Sequence, residues 1–115
     1  MNWNELSSAE QLAVLIELSN TRPQVIFKHS TRCSISSMAK SRLERSEQPG
    51  TADFYYLDLI RYRQLSDKIA DDFAVTHESP QILVIKNGEC VYEESHSGIH
   101  MEEIIEQIAM GKQSF

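Results

Sequence analysis

The chain has 115 residues, of which 41% are hydrophobic and 24% charged, and it carries a net charge of −6. That size and mixture fit one soluble domain spanning residues 1–115, with a core of its own and no low-complexity tract. The acidic balance speaks against nucleic acid or an anionic membrane surface as a partner, and the longest apolar runs, Leu12 to Ile16 and Ile82 to Ile85, fall far short of the roughly 20 residues that cross a bilayer.

Met1-Asn2-Trp3 is too short to settle as an edge strand. Ser7-Ser8-Ala9-Glu10 has the spacing of a capping box, and Leu12, Leu15, Ile16 and Leu18 recur at helical intervals, so a first helix runs toward Asn20 and stops before Arg22-Pro23. Val25-Ile26-Phe27 reads as a short strand buried on both faces. The polar string from Lys28 to Ser36 follows it. Ile35, Met38, Ala39 and Leu43 then mark a second helix, which Gln48-Pro49-Gly50 breaks. Phe54 to Leu59 is the next strand, and Leu65, Ile69 and Phe73 share the apolar stripe of a third helix over residues 61–73. After a loop containing His77-Glu78-Ser79-Pro80, the runs Ile82 to Ile85 and Glu89 to Glu94 flank Asn87-Gly88, a strong hairpin signal. Beyond Gly98, Ile104, Ile105 and Ile108 define a last amphipathic helix directed at Gly111, a residue suited to cap it. The order α-β-α-β-α-β-β-α implies an α/β domain whose mixed sheet has parallel strands followed by an antiparallel hairpin, with helices on both faces.

Two cysteines, Cys33 and Cys90, are too few for a disulfide framework and are not spaced as metal ligands, so no metal site is expected. Glu5 and Glu10 stand where a signal peptide would be basic and apolar, and a cytoplasmic location is expected. Cys33 falls where a strand hands over to a helix. The first turn of a helix offers unpaired N–H groups and partial positive charge, conditions under which a thiol ionises more readily. A buried structural cysteine is the duller alternative, against which the polar neighbours on both sides argue. The position that would carry the second sulfur of a Cys-x-x-Cys motif is Ser36, which implies one-sulfur chemistry; Ser36 is either a first-turn helix residue or a group that orients the sulfur.

Residues 28–45 carry a net charge of +4 against −10 for the remainder. That is either a solvated helix face or a field that favours thiolate and attracts an anionic thiol. Strand alternation brings at most one of Lys28 and Arg32 near the sulfur, and Arg32 is the better candidate. His29 beside Cys33 would suit a cysteine hydrolase, but so short a chain shows neither an orienting partner nor a cleft. His77, His96 and His100 read as surface residues. Cys90 reads as a small packing residue; as a resolving thiol it would need a Cα within about 7 Å of that of Cys33.

These elements resemble the thioredoxin-like fold, a three-layer α/β/α sandwich. Cys33 follows the first parallel strand, Ser79-Pro80 immediately precedes the hairpin strand, and Gly98 follows the hairpin, as in Cys-x-x-Cys thioredoxins and their Cys-x-x-Ser relatives. The resemblance implies a cis bond at Ser79-Pro80 and a substrate rest there. The string Thr31-Arg32-Cys33-Ser34-Ile35-Ser36 is similar to the Thr-x-Cys-Pro-Ile-Ser motif of monothiol bacilliredoxins, with Ser34 in place of the usual proline. A proline there would prearrange the first helical turn, whereas serine adds a hydroxyl able to donate to a thiolate. The resemblance implies catalysis by Cys33, with Arg32, Ser34, Ser36, Ser79 and Pro80 around the substrate. It further implies bacillithiol as co-substrate with no bound cofactor, and bacillithiol-modified proteins as partners. A thioredoxin-like binding module without turnover, and a glutathione-dependent monothiol redoxin, are the competing expectations.

Overall fold

The computed structural model describes residues 1–110. Its first strand is Asn4–Glu5 (β1), just past the segment too short to assign from sequence, and it is followed by helix Ala9–Leu18 (α1). The capping box sits one residue later than Ser7-Glu10 suggests. Ser8 caps the helix by accepting the Gln11 N–H on its Oγ at 3.1 Å, and Gln11 Oε1 accepts the N–H of Ser7, one residue before the cap, at 2.8 Å, so glutamine rather than Glu10 returns the bond.

Strand Gln24–His29 (β2) leads to helix Ser34–Glu44 (α2), and strand Asp53–Asp58 (β3) to helix Arg63–Phe73 (α3), which closes on Ala74 in the left-handed region. Strands Gln81–Lys86 (β4) and Glu89–Ser95 (β5) form the hairpin, and after a single 3-10 turn at His96–Gly98 the last helix is Met101–Met110 (α4). Gly111, the expected cap, lies outside the described residues. Asn87 and Gly88 both have positive φ, 51° and 77°, as a type I′ turn demands. Ser19 at the end of α1 accepts both turn N–H groups, Asn87 on its carbonyl at 2.8 Å and Gly88 on its hydroxyl at 2.9 Å.

The five strands lie in the order β1-β3-β2-β4-β5, with β1, β3 and β2 parallel and β4 and β5 antiparallel. Period-two alternation in the central strands divides the core into two layers. Val25, Phe27, Phe54, Ile82 and Val84 pack under α2 and α4, while Ile26, Leu57, Leu83 and Ile85 pack under α1 and α3. Trp3 adds to the first layer, its ring stacked on Phe27 at 5.7 Å between centroids. This is the thioredoxin-like three-layer arrangement. Its consequence for function is directional: in parallel strands joined by crossover helices, every helix that follows a strand starts at the strands' carboxyl end. The amino termini of α1, α2 and α3 therefore gather at one end of the sheet.

One helix presents a different face from that expected. Ser36, Ala39 and Leu43 form the buried stripe of α2, while Ile35 and Met38 are 54% and 64% exposed.

Candidate active site

Cys33 is the N-cap residue of α2. Its backbone is extended, its carbonyl accepts the Ser37 N–H at 3.0 Å, and its side chain makes no capping bond. The thiol is half-buried, with Arg32 and Ser34 exposed on either side. The loop that presents it is stapled from below: Ser30 N–H donates to Ser36 Oγ at 3.0 Å, and the same oxygen lies 2.8 Å from His29 Nδ1. Cys33 N–H closes the loop by donating to Ser30 O at 3.2 Å.

The expectation that Ser36 touches substrate is corrected by this geometry. Its side chain is fully buried and its hydroxyl is committed to Ser30 and His29, so it shapes the loop from inside. His29 is likewise turned inward. It is 7% exposed, its ring stacks on Phe27 at 5.8 Å and bonds to Ser36, and burial, reinforced by Lys40, pushes its pKa below the usual histidine value.

Ser79–Pro80 lies at the same end of the sheet. Lys28 pairs with Gln81 in the β2–β4 register, so the residues just beyond that pair, His29 on one strand and Pro80 on the other, flank the end from which the Cys33 loop emerges. The peptide bond between Ser79 and Pro80 is cis, and Pro80 O accepts the His96 N–H at 3.1 Å. Gly98 fits tightly here, because a Cβ at that position would stand 2.6 Å from Glu94 Cδ.

The basic segment divides into separate fates. Lys28 is fully buried, Lys40 pairs with Glu44 at 2.6 Å, and Arg42 donates through Nε and Nη2 to Ile99 O at 3.0 and 2.9 Å. Arg32 is the cation adjoining the sulfur in sequence, and it remains exposed. Cys90 is remote. It pairs with Ile85, which pairs with Gln24 at the opposite end of β2, five strand residues or about 16 Å from His29. No internal disulfide is compatible with that spacing. Burial pushes the Cys90 thiol up, and its Sγ donates to Tyr92 O at 3.3 Å. Among the described residues no cluster of histidine, cysteine and carboxylate side chains is arranged to hold a metal.

The family profile for the monothiol bacilliredoxin BrxC matches residues 4–104. The chain belongs to the monothiol bacilliredoxin family. A solved structure described as a candidate oxidoreductase with a thioredoxin fold is 34% identical over 90% of both chains, with a TM-score of 0.79. Thioredoxin from Malassezia sympodialis, 18% identical over 95% of this chain and 90% of its own, superposes with a TM-score of 0.74, and that from Fasciola hepatica, 21% identical over 95% and 99%, with 0.71. At those identities the two thioredoxins speak to the fold alone. Family and fold together make this bacilliredoxin a thiol redox protein.

Three features of this bacilliredoxin's site were not drawn from its sequence. Ile35 and Met38 place apolar surface on the exposed face of α2, Ile35 two residues past Cys33; Ser36, spaced three and seven residues before Ala39 and Leu43, was the available sign that α2 buries a different stripe. Lys28 and His29 extend β2 rather than opening the loop. His77, expected on the surface, is partly buried with its ring against Lys28.

Proposed function

We propose that this protein removes bacillithiol from protein mixed disulfides by monothiol exchange at Cys33. The observation that carries the reading is the pairing of an accessible N-cap thiol with a buried, fully engaged serine at the place of a second sulfur. The Cys33 thiolate attacks the bacillithiol sulfur of the mixed disulfide. The old S–S bond breaks, the substrate protein's sulfur leaves as a thiolate and takes a proton from water, and a new S–S bond joins Cys33 to bacillithiol. A second bacillithiol thiolate then attacks that adduct, releasing bacillithiol disulfide and restoring Cys33. The incoming bacillithiol thiolate supplies the electron pair that frees Cys33, so the net exchange turns a protein mixed disulfide and one bacillithiol thiol into a protein thiol and bacillithiol disulfide. No internal thiol competes, since Cys90 is at the other end of the sheet.

The positive end of α2 stabilises the sulfur's negative charge during exchange. Arg32 and Ser34, exposed on either side of Cys33, are assigned to the carboxylates and polar groups of the small thiol. Ser79 is assigned to the extended backbone of the substrate protein and Ile35 to its apolar side chains; Pro80, expected from the sequence to touch substrate, is buried with its carbonyl engaged by His96 N–H, and its part is to shape the turn that presents Ser79. The cycle requires no bound cofactor and suits a reducing, cytoplasmic compartment.

Intact-mass measurement after incubation with bacillithiol disulfide tests the reading. One adduct is expected, on Cys33, and it persists in Cys90→Ser and is lost in Cys33→Ser. With limiting iodoacetamide, Cys33 is labelled ahead of Cys90, whose burial hinders both ionisation and access. An unreactive Cys33 overturns the proposal in favour of a binding module, and faster transfer from glutathione than from bacillithiol mixed disulfides overturns the choice of thiol.

A further inference from the structure

Lys28 is a lysine wholly enclosed in the central strand β2, five residues before the reactive cysteine. Its ammonium donates to the carbonyl of Ser66 on α3 at 3.1 Å and lies 3.4 Å from His77 Nδ1, which is also 3.4 Å from Ser66 Oγ. Packing alone gives no reason for a charge here. A methionine would fill the same space without desolvating an ammonium, so the placement costs stability. What the lysine obtains in return is a hold on the loop between α3 and β4.

An ammonium only donates, so His77 must meet it with the lone pair of Nδ1 and carry its own proton on Nε2. His77 stands two residues before Ser79. The same loop is held at its other points by Gln81, which donates through Nε2 to Thr76 O at 2.9 Å, and by the bond from His96 N–H to Pro80 O. Remove the contact between Lys28 and His77, and residues 77–79 lose their side-chain tie to β2, the strand that leads into the Cys33 loop, keeping only the backbone pairing of Gln81 with Lys28 beyond them.

We propose that the buried Lys28–His77 contact is a pH-sensitive latch that holds the Ser79–Pro80 segment in register with Cys33, making both side chains positioning residues for exchange with protein substrates. This inference rests on the reading of Cys33 as an exchange thiol. Protonation of His77 puts an N–H⁺ where the ammonium needs an acceptor, and two cations cannot share that contact. The charged surroundings of His77 are Lys28 from β2, Arg63 and Asp67 from α3, and Glu78 in the loop itself, which stands 3.7 Å from His96 Nε2 through its carboxylate. Burial, then Lys28 and Arg63, hold the histidine below its ordinary pKa against the opposing pull of Asp67 and Glu78. The latch is therefore closed at neutral pH and opens on acidification.

The test uses the full chain and two substrates: serum albumin carrying one bacillithiol as a mixed disulfide, and the small aromatic disulfide 5,5′-dithiobis(2-nitrobenzoate), which reports on Cys33 without needing the loop. As the pH falls from 7.5 through the titration of His77, followed by its imidazole ¹⁵N shifts, KM for the albumin substrate should rise about threefold or more, because only the latched fraction binds, while kcat follows the rate with the small disulfide. His77→Gln, whose amide oxygen accepts from Lys28 but does not titrate, should abolish that KM rise. His96→Asn should keep it. Lys28→Met should raise KM at every pH and leave the small-disulfide rate within about twofold. Imidazole ¹⁵N spectra at neutral pH should show His77 as the Nε2–H form in the wild type. A flat KM in the wild type, a rise that survives His77→Gln, or an Nδ1–H tautomer would overturn the latch. Failure of Cys33 to react with the small disulfide would instead bring down the exchange reading beneath it.

Discussion

Ser36→Ala isolates the staple beneath the reactive loop. The serine oxygen is fully buried, accepts the Ser30 N–H at 3.0 Å and bonds the His29 ring at 2.8 Å, so its removal leaves a backbone donor and a buried imidazole nitrogen without that partner. Each lost bond is worth about 1 kcal/mol net, and leaving a group of this kind unsatisfied out of water raises the cost, for a total of about 2–3 kcal/mol. With an unfolding entropy near 2.1 cal/mol/K per residue, a loss of that size lowers Tm of a domain this long by about 10 °C. Urea titration and calorimetry of Ser36→Ala beside Ser37→Ala make the measurement. Ser37 is exposed on the same helix, and its substitution should stay within about 0.5 kcal/mol of wild type. Transfer to Cys33 should slow in Ser36→Ala alone, because the loop that presents the sulfur is no longer pinned. Equal stabilities for the two variants would refute the assignment of Ser36 as a staple.

Lys28 leaves a signature in the pH dependence of stability. Burial lowers its pKa from 10.5 to about 8, with Asp67 opposing. Between those values the unfolded chain holds a proton that the folded chain has released, so stability rises with pH. The gain from pH 7.5 to pH 10 should be about 2 kcal/mol relative to Lys28→Met, the variant cancelling contributions from tyrosines and cysteines; parallel curves by urea titration would contradict it. Gly88→Ala should cost about 1 kcal/mol, because the residue has φ of +77° and a Cβ there meets nothing closer than Ile16 Cγ2 at 4.0 Å, leaving backbone strain as the main cost. Thermal melts of that variant with an unchanged Tm would show that the hairpin turn relaxes to another type.

Local chemistry made much of this molecule legible. The unbroken apolar run Ile82 to Ile85, the Asn87-Gly88 turn and the helical spacing of Leu65 and Ile69 each depend on neighbours a few residues apart, and each appears where the residues imply. The position of Cys33 between a strand and a helix was equally local, as was Ser36 in place of a second sulfur. What the chain's order could not convey was the direction in which polar side chains point once distant segments meet. Lys28 and His29 look like the start of a solvated loop because their partners, Ser66, His77 and Ser36, lie on other elements, and the interior accepts them once those bonds exist. Ile35 and Met38 look like core for the complementary reason. A helical stripe has no inside until the sheet beneath it is laid down, and here Ser36, Ala39 and Leu43 face the sheet, leaving the two larger side chains exposed to solvent. The elements were therefore decided by short-range periodicity and turn chemistry, and the site by long-range packing, because burial makes a polar group's meaning depend on which partner it finds.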